Sequence, residues 1–285
     1  MLSINEDTHF DNDIKYLHPR TENWWLMSGP GPLLTILATY LYFCNSVGPR
    51  YMRDKKPYDL KNTMIAYNVS QILMSMYLVY EASMKITSKL ANILYLLFGI
   101  CQSLSKTPGT GSSGCFQVER EQMASAVWWY FMAKIIELLD TIFFVMRKKN
   151  RQLTFLHLYH HFMMPICAWI GGHGTLLGLI NSFIHVIMYS YYLISVCSFG
   201  EIYFIYAKYI LLFQIQFCII FYHNFSVMFG DCNYPKGINF LLSLNAGLFI
   251  YMFGNFYYSN YVKSRNKLRS ETAQLIESNG KQKEC

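Results

Sequence analysis

Charged side chains are scarce in this sequence. Asp, Glu, Lys and Arg together make up 14% of the 285 residues, whereas soluble domains carry about 25%. Hydrophobic residues reach 53%, and several apolar stretches approach the roughly 20 residues that cross a bilayer as a helix. These proportions exclude an ordinary soluble domain and predict a polytopic membrane protein.

Paired cysteines and an apolar leader are also missing. The eight cysteines are scattered, and the lack of a CxxC pair or a zinc-ligand spacing argues against a structural metal. Residues 1–23 are polar and have no signal-peptide core, so we expect no cleaved leader. The net charge is +7, but the basic residues lie in loops beside apolar stretches. That distribution favours a membrane surface and anionic ligands over nucleic acid.

The apolar runs predict an all-α polytopic membrane protein with seven transmembrane helices. We place these helices at 30–48, 62–83, 123–146, 153–171, 176–197, 204–228 and 237–261. Residues 91–101 are also apolar, but this short stretch lies within a polar, Gly/Ser-rich segment. We expect it to be an interfacial or re-entrant piece of a long loop.

Lysine and arginine predict the orientation, because cytosolic loops carry an excess of both residues. Their distribution places residues 1–23 in the lumen as a polar N-terminus, 24–265 in the membrane, and 266–285 in the cytosol as a basic tail. The tail contains Lys281 and Lys283 in "KQKEC", a spacing that resembles a dilysine retrieval signal of the endoplasmic reticulum. A basic tail without a targeting role is the alternative.

Polar residues interrupt four of the predicted helices. Their positions are Lys134, Glu137, Asp140 and Thr141 on the third; His157, His160 and His161 on the fourth; Asn181, His185, Met188 and Tyr192 on the fifth; and Gln214 on the sixth. Lipid-facing helices do not tolerate such residues. At about 1.5 Å of rise per residue, the ionisable groups of three helices fall at one depth. We expect them to face a shared cavity that opens toward the cytosol.

Clustered histidines suit more than one chemistry. One zinc ion could be held by His157, His160, His161 and His185. Membrane desaturases and hydroxylases bind two irons through several HxxHH boxes, and this chain has only one such box. Imidazole can instead transfer protons near neutral pH or form covalent acyl intermediates. A seven-helix receptor or transporter with buried ion pairs as gates is the non-enzymatic alternative.

Three sequence patterns resemble those of one family. "KIIELLDT", "HLYHH" and "NSFIHVIMYSYY" resemble the KxxExxDT, HxxHH and NxxxHxxMYxYY signatures of the very-long-chain fatty acid elongases, the ELO family of membrane 3-ketoacyl-CoA synthases. The resemblance covers residues 24–265 and includes "GPRYMRDKKP". The family pattern TxxQxxQ is only partly present, as Leu211, Gln214 and Phe217. Gln216 points about 160° away from Gln214 on a helix, so we do not expect it to substitute.

The resemblance implies a fold, a reaction and catalytic residues. Six of the seven helices would ring a narrow substrate tunnel, and a long-chain acyl-CoA would condense with malonyl-CoA to give 3-ketoacyl-CoA, CO2 and CoA without a cofactor. His160 and His185 would contact the reacting carbons, with an acyl-imidazole as the expected intermediate. The residues expected to orient these rings or balance their charge are His157, His161, Glu137, Asp140, Asn181 and Lys134.

Substrate contacts and partners follow from the same resemblance. The expected substrate-binding residues are Met188, Tyr189, Tyr192 and Gln214 in the interior, and Arg147, Lys148, Lys149 and Arg151 at the CoA phosphates. Expected partners are both CoA substrates, the bilayer and the reductases and dehydratase of the elongation cycle, with homo- or hetero-oligomers also compatible.

The cysteines expected in the lumen are Cys101, Cys115 and Cys232, and there we favour a Cys101–Cys232 disulfide over free thiols. Cys167 lies too deep to be the expected nucleophile.

Overall fold

A computed structural model describes residues 24–87, 120–170, 175–197, 203–229 and 236–263, together with residues 265, 266, 270 and 272. The described segments are helical and contain no strand. The helices are α1 Pro30–Tyr42, α2 Gly48–Met52, α3 Lys61–Thr87, α4 Arg120–Ile136, α5 Leu138–Met146, α6 Phe155–Ile170, α7 Thr175–Cys197, α8 Tyr203–Phe229 and α9 Lys236–Tyr257. Two π-helical turns, Phe43–Val47 and Tyr258–Val262, join α1 to α2 and follow α9.

The predicted apolar spans coincide with these helices. Each span matches one helix or two consecutive ones, so the all-α prediction is confirmed for the described residues. Two segments, Leu176–Cys197 and Lys236–Tyr257, are long and apolar enough to cross a membrane. Seven crossings and an internal tunnel stay predictions. The predictions for residues 1–23 and 91–101, for Cys101, Cys115 and Cys232, and for the lysines of "KQKEC" lie outside the described residues.

Pro49 and Gly48 shape the connection between α1 and α2. Proline has no N–H, and its ring displaces the carbonyl four residues earlier, which explains the wider π turn immediately before it. The Gly48 N–H donates to the carbonyl of Phe43, five residues back. A Cβ on Gly48 would lie 2.7 Å from Cγ1 of Val145. Only glycine therefore lets α2 lie this close to α5.

A tight turn separates α4 from α5 at Glu137. The backbone of Glu137 has ψ −18°, and its carbonyl accepts the N–H of Asp140 at 3.1 Å. This three-residue spacing is that of a 3₁₀ turn, which is common where helices meet functional sites. The turn leaves Glu137 at the junction, with Asp140 one turn further along.

The end of α5 has the hydrogen bonds of a Schellman motif. Lys148 adopts a left-handed φ of 54°, while its N–H donates to Val145 and that of Lys149 donates to Phe144, at 3.1 and 2.9 Å. Glycine usually occupies this left-handed position. The motif turns the chain sharply, and α6 begins shortly afterwards.

The three clustered histidines occupy the first two turns of α6. Thr154 precedes the helix and accepts the N–H of His157 at its side-chain oxygen, 3.2 Å away, as an N-cap residue does. Pro165 lies within the helix and cannot donate to the carbonyl of His161. The cap and the proline thus bracket the histidine segment.

Helix packing brings the polar segments together. The most extensive pairings are α3 with α7 and α8 with α9; α4 also packs on α3 and α6, α6 on α9, and α7 on α8. Each of these helices therefore has two neighbours in the set. α1 lies against α6, and α2 lies against α5. A hydrophobic core of residues from α1, α4 and α6, including Leu37 and Phe131, fixes this side of the molecule.

Candidate active site

Hydrogen-bonded side chains join the α4–α5 segment to α7. The pairs are Tyr130 with Asn181, Glu137 with His185, and Asp140 with Tyr189. Residue numbers rise together in both partners, so the two segments run in the same direction. We call the end where α5 meets Arg147 and Lys148 the basic end. Each successive pair lies nearer to it.

Glu137 contacts two basic groups inside the protein. Its carboxylate oxygens accept from Lys134 Nζ at 2.8 and 3.0 Å, and Oε1 lies 3.0 Å from His185 Nδ1. All three side chains are buried, and mutual pairing offsets their loss of hydration. Because a carboxylate only accepts hydrogen bonds, the hydrogen of a neutral His185 resides on Nδ1. Its Nε2 then keeps a lone pair that can accept a proton or attack an electrophile.

His157 is held by a chain of hydroxyl groups. Its Nε2 lies 3.0 Å from Thr141 Oγ1, which lies 2.7 Å from the Tyr40 hydroxyl. Sequence reasoning placed Thr141 on the polar face but gave it no role, and it did not single out Tyr40. The Thr of "KIIELLDT" was a usable signal. Tyr40 had none, because it lies in an apolar run on α1.

His160 and His161 differ from His157 and His185 because none of the described residues hydrogen-bonds to their ring nitrogens. The His160 ring is only partly buried. The ring centroid lies 5.3 Å from that of Phe249, 6.2 Å from that of Phe253 and 5.4 Å from that of His161. His160 is thus held by aromatic contacts while its nitrogens stay available to a reacting group. His161 is buried and lies 4.2 Å from His157, ring to ring.

Asp140 does not contact an imidazole ring, contrary to the expectation that it orients one. Its Oδ2 accepts from the Tyr189 hydroxyl at 2.8 Å, and the ring of Tyr67 lies 5.9 Å from that of Tyr189. Tyr67 in turn accepts from Gln71 Nε2 at 3.2 Å. The reason is geometric: the 3₁₀ turn at Glu137 and the four-residue step on α7 align Asp140 with Tyr189 and not with His185.

Gln216, which sequence reasoning set aside, belongs to the polar network. It is buried, and its Oε1 accepts from Asn181 Nδ2 at 3.3 Å. Gln214 Nε2 instead lies 3.3 Å from the position of a Cβ on Gly254, so it packs against α9. That Gln216 does not substitute for the glutamine missing at position 217 stays a prediction. The two glutamines do point to different sides, but the side facing α7 is that of Gln216.

The remaining predicted contact residues fall into two groups. In the interior, Tyr189 is fully buried, its ring lies 6.0 Å from that of Tyr192, and Met188 is half-buried. At the basic end, Arg147 donates to Met64 Sδ and Lys148 Nζ donates to the Arg53 carbonyl, whereas Lys149 and Arg151 are exposed. The loop 53–60 is also tied to α5, through the N–H of Tyr58 and the Met146 carbonyl.

An apolar pocket adjoins the histidines on the side away from the basic end. It is a narrow cleft with a cavity volume of about 20 Å³. Its lining residues are Met164, Cys167, Leu177, Phe217, Ile220, Leu242, Asn245, Ala246 and Phe249. Phe249 contacts both His160 and Phe217, so it separates the pocket from the imidazole. Cys167 is buried and accepts a hydrogen bond from Asn245.

Metal-site geometry is absent from the part of the chain that the structure describes, where no group of three His, Cys, Asp or Glu side chains is placed to hold one metal ion. His157 and His185 hydrogen-bond to different partners, Thr141 and Glu137.

Comparison with known proteins identifies the family. Residues 25–269 match the model of the GNS1/SUR4 (ELO) family. The chain is 38% identical to very long chain fatty acid elongase 7 of Rattus norvegicus over 90% of each chain. It is 37% identical to elongase 4 of Homo sapiens, covering 89% of this chain and 79% of the relative. It is 33% identical to elongase 7 of Drosophila melanogaster, covering 92% and 78%. This chain therefore belongs to the GNS1/SUR4 (ELO) family of integral membrane proteins.

Proposed function

We propose that this protein catalyses the condensing step of fatty acid elongation, as a very-long-chain 3-oxoacyl-CoA synthase. It would join a long-chain acyl-CoA to malonyl-CoA and release 3-ketoacyl-CoA, CO2 and CoA. The names of its relatives, very long chain fatty acid elongases, support elongation as the process. The main structural support is one arrangement: Glu137 contacts His185 at 3.0 Å, while none of the described residues hydrogen-bonds to the His160 ring.

The proposed chemistry uses two imidazoles in sequence. A nitrogen of His160 attacks the acyl thioester, so that a C–N bond forms, the C–S bond breaks and CoA leaves. Malonyl-CoA then loses CO2, and the electron pair of the broken C–C bond attacks the acyl carbon. The C–N bond breaks, and its electrons return to His160. In its imidazolium form, His185 donates from Nε2–H to the malonyl-derived enolate, while Glu137 balances the positive charges of His185 and Lys134.

The proposed placement in the membrane follows from charge and polarity. The seven helical spans would cross the endoplasmic reticulum membrane, with the basic end and the tail in the cytosol. Arg147, Lys148, Lys149 and Arg151 would bind CoA phosphates at the mouth. The acyl tail would run past His160 into the apolar pocket, at the inner end of a tunnel between six helices. No cofactor is required by this chemistry.

The product suggests further partners. A 3-ketoacyl-CoA must be reduced, dehydrated and reduced again before it becomes a longer saturated chain, so a dehydratase and reductases would act next. Association with them, or with further copies of this chain, would pass a poorly soluble product directly between active sites.

Incorporation of radiolabelled malonyl-CoA by the purified protein tests the proposal over a series of acyl-CoA lengths. We expect labelled 3-ketoacyl-CoA from the wild type and none above background from His160→Ala. His223→Ala is the matched control, because His223 lies two turns beyond Gln216 on α8, and it should retain activity. Absence of labelled product with every acyl-CoA, together with stoichiometric iron in the purified protein, would favour a desaturase or hydroxylase.

A further inference from the structure

The two carboxylates at the centre of the site lie on successive levels. Glu137 meets His185 at 3.0 Å, and Asp140 meets Tyr189 at 2.8 Å. Asp140 is three residues further along its segment, and Tyr189 is four residues further along α7. Each step is about one helical turn, or roughly 5 Å, toward the basic end. The Asp140 pair therefore lies between the imidazole level and the proposed mouth for CoA.

The two carboxylates have partners of different chemical kinds. Lys134 Nζ, which contacts Glu137, can only donate hydrogen bonds, so a protonated Glu137 would place a hydrogen against a donor. Asp140 contacts the Tyr189 hydroxyl, and a hydroxyl can both donate and accept. Among the described residues, no basic group lies within ion-pair distance of Asp140. Asp140 can thus hold or lose a proton without leaving a buried group unsatisfied.

Several titratable groups surround Asp140 and share its environment. They are Lys134 and Glu137 from its own segment, Tyr67 from α3, Tyr189 and His185 from α7, and, beyond Thr141, His157 from α6 and Tyr40 from α1. Lys134 is bound directly to Glu137 and not to Asp140. The group in hydrogen-bond contact with Asp140, and so placed to exchange a proton with it, is the Tyr189 hydroxyl.

The condensation itself consumes a proton. In the first step the sulfur of the acyl thioester leaves with the electron pair of the C–S bond, as a thiolate. In the second step malonyl-CoA loses neutral CO2, and the electron pair left on carbon displaces His160 and cancels the positive charge of the acylated ring. An acyl-CoA, a malonyl-CoA and one proton give a 3-ketoacyl-CoA, CO2 and a CoA thiol. A thiolate left within the protein would be a buried charge without a partner. Something must protonate the sulfur before CoA departs.

We propose that Asp140 stores this proton and delivers it through the Tyr189 hydroxyl to the leaving sulfur. The proposal rests on the condensing function above. The O–H bond of Asp140 breaks as its proton moves to the Tyr189 oxygen, and the original Tyr189 proton forms the S–H bond of CoA. Asp140 remains as a carboxylate that accepts from Tyr189 and regains a proton from water at the basic end. Tyr67, fixed by Gln71, stabilises the carboxylate in the meantime.

A leaving group that needs no proton tests this assignment. Release of thiol from acyl-enzyme formation, without malonyl-CoA, is measured by rapid quench for a long-chain acyl-CoA and for the thiophenol thioester of the same acid in detergent micelles. Asp140→Asn should slow CoA release at least about 100-fold. The thiophenol thioester should react within about threefold of the wild-type rate, because an aromatic thiolate leaves without protonation. Tyr189→Phe should show the same selective defect.

Glu137→Gln is the matched comparison, because it removes a carboxylate one turn away. It should slow both thioesters to the same degree, since it acts on His185. Equal slowing of both thioesters by Asp140→Asn and by Tyr189→Phe, or wild-type CoA release from both variants, would overturn the proposal. If the wild type releases no thiol and incorporates no malonyl carbon, the condensing function itself fails, and that result is distinct from a selective defect. Tyr189→Phe decides the matter if Asp140→Asn does not fold.

Discussion

The Glu137 pair and the Asp140 pair occupy the same two helical segments but are built for different tasks. Glu137 contacts a lysine and a histidine, which favour its charged form and fit the proposed role of orienting the His185 ring. Asp140 contacts the Tyr189 hydroxyl, which suits either protonation state. One helical turn thus separates a group that positions from a group suited to proton exchange. The chemistry of each carboxylate follows from its partners and not from its residue type.

The largest effect should come from breaking the charged pair. Glu137→Gln leaves Lys134 as a buried cation without a partner, which costs about 3–5 kcal/mol of stability, and it releases the His185 ring. We expect condensation to fall at least about 100-fold. Thermal unfolding in detergent and the initial rate are the two measurements. A further Lys134→Met change should recover stability but not the rate; recovery of both would show that Glu137 does not position His185.

A smaller effect is expected at the hydroxyl chain beside His157. Thr141→Val keeps the side-chain shape but removes the group between Tyr40 and His157, at a cost of about 1–3 kcal/mol for the polar atoms left unpaired. We expect the condensation rate to fall about tenfold, because the His157 ring is held less firmly. Tyr40→Phe removes only the outer hydroxyl and should have a weaker effect on the rate. If Tyr40→Phe lowers the rate as much as Thr141→Val or more, Thr141 does not connect Tyr40 to His157.

The hydrogen bond between Asn181 and Gln216 joins two uncharged side chains, and we expect its loss to affect stability more than the reaction. Gln216→Leu removes the acceptor of the Asn181 amide and should lower the free energy of unfolding by about 1–3 kcal/mol, with the condensation rate within about threefold of wild type. Gln214→Leu is the control, because Gln214 faces α9. Thermal unfolding measures the stability of both variants. Greater destabilisation by Gln214→Leu than by Gln216→Leu would contradict the network described for Gln216.

The smallest effect on the reaction should come from the packing of α2 on α5, the helix that carries Asp140. Gly48→Ala places a Cβ 2.7 Å from Val145 on α5 and should cost about 1–3 kcal/mol in unfolding experiments. Val145→Ala in the same chain should recover most of it. Gly31→Ala is the matched control, since no atom lies within 4 Å of its added Cβ. Equal loss of stability from both glycine variants would argue against close packing of α2 on α5.

Periodic features were predictable from the sequence. The apolar runs predicted the helical segments because a run of about 20 apolar residues in a membrane can satisfy its backbone hydrogen bonds in few ways other than as a helix. The three-residue spacing of Lys134 and Glu137 is that of an ion pair along a helical segment, and the two form such a pair at the end of α4. The family assignment was confirmed by the match over residues 25–269.

Contacts between helices were less accessible to sequence reasoning. The partner of Asp140 depended on a local 3₁₀ turn, which shifts the register by a fraction of a turn and has no clear sequence signal. The choice between Gln214 and Gln216 depended on how α8 is rotated toward α7, and α8 is apolar on most sides. Tyr40 joins the site from a hydrophobic helix about 100 residues away. Such pairings are decided by packing, which a single sequence does not specify.

Transfer of the acyl group to His160 is the central claim, and acyl-enzyme trapping tests it most directly. The purified protein is mixed with acyl-CoA alone, CoA release is followed, and the quenched protein is examined by intact-mass and peptide mass spectrometry. We predict one equivalent of CoA released and an acid-labile acyl group on His160, with neither in His160→Ala. CoA release that requires malonyl-CoA, or an acyl group on another residue such as Cys167, would contradict it.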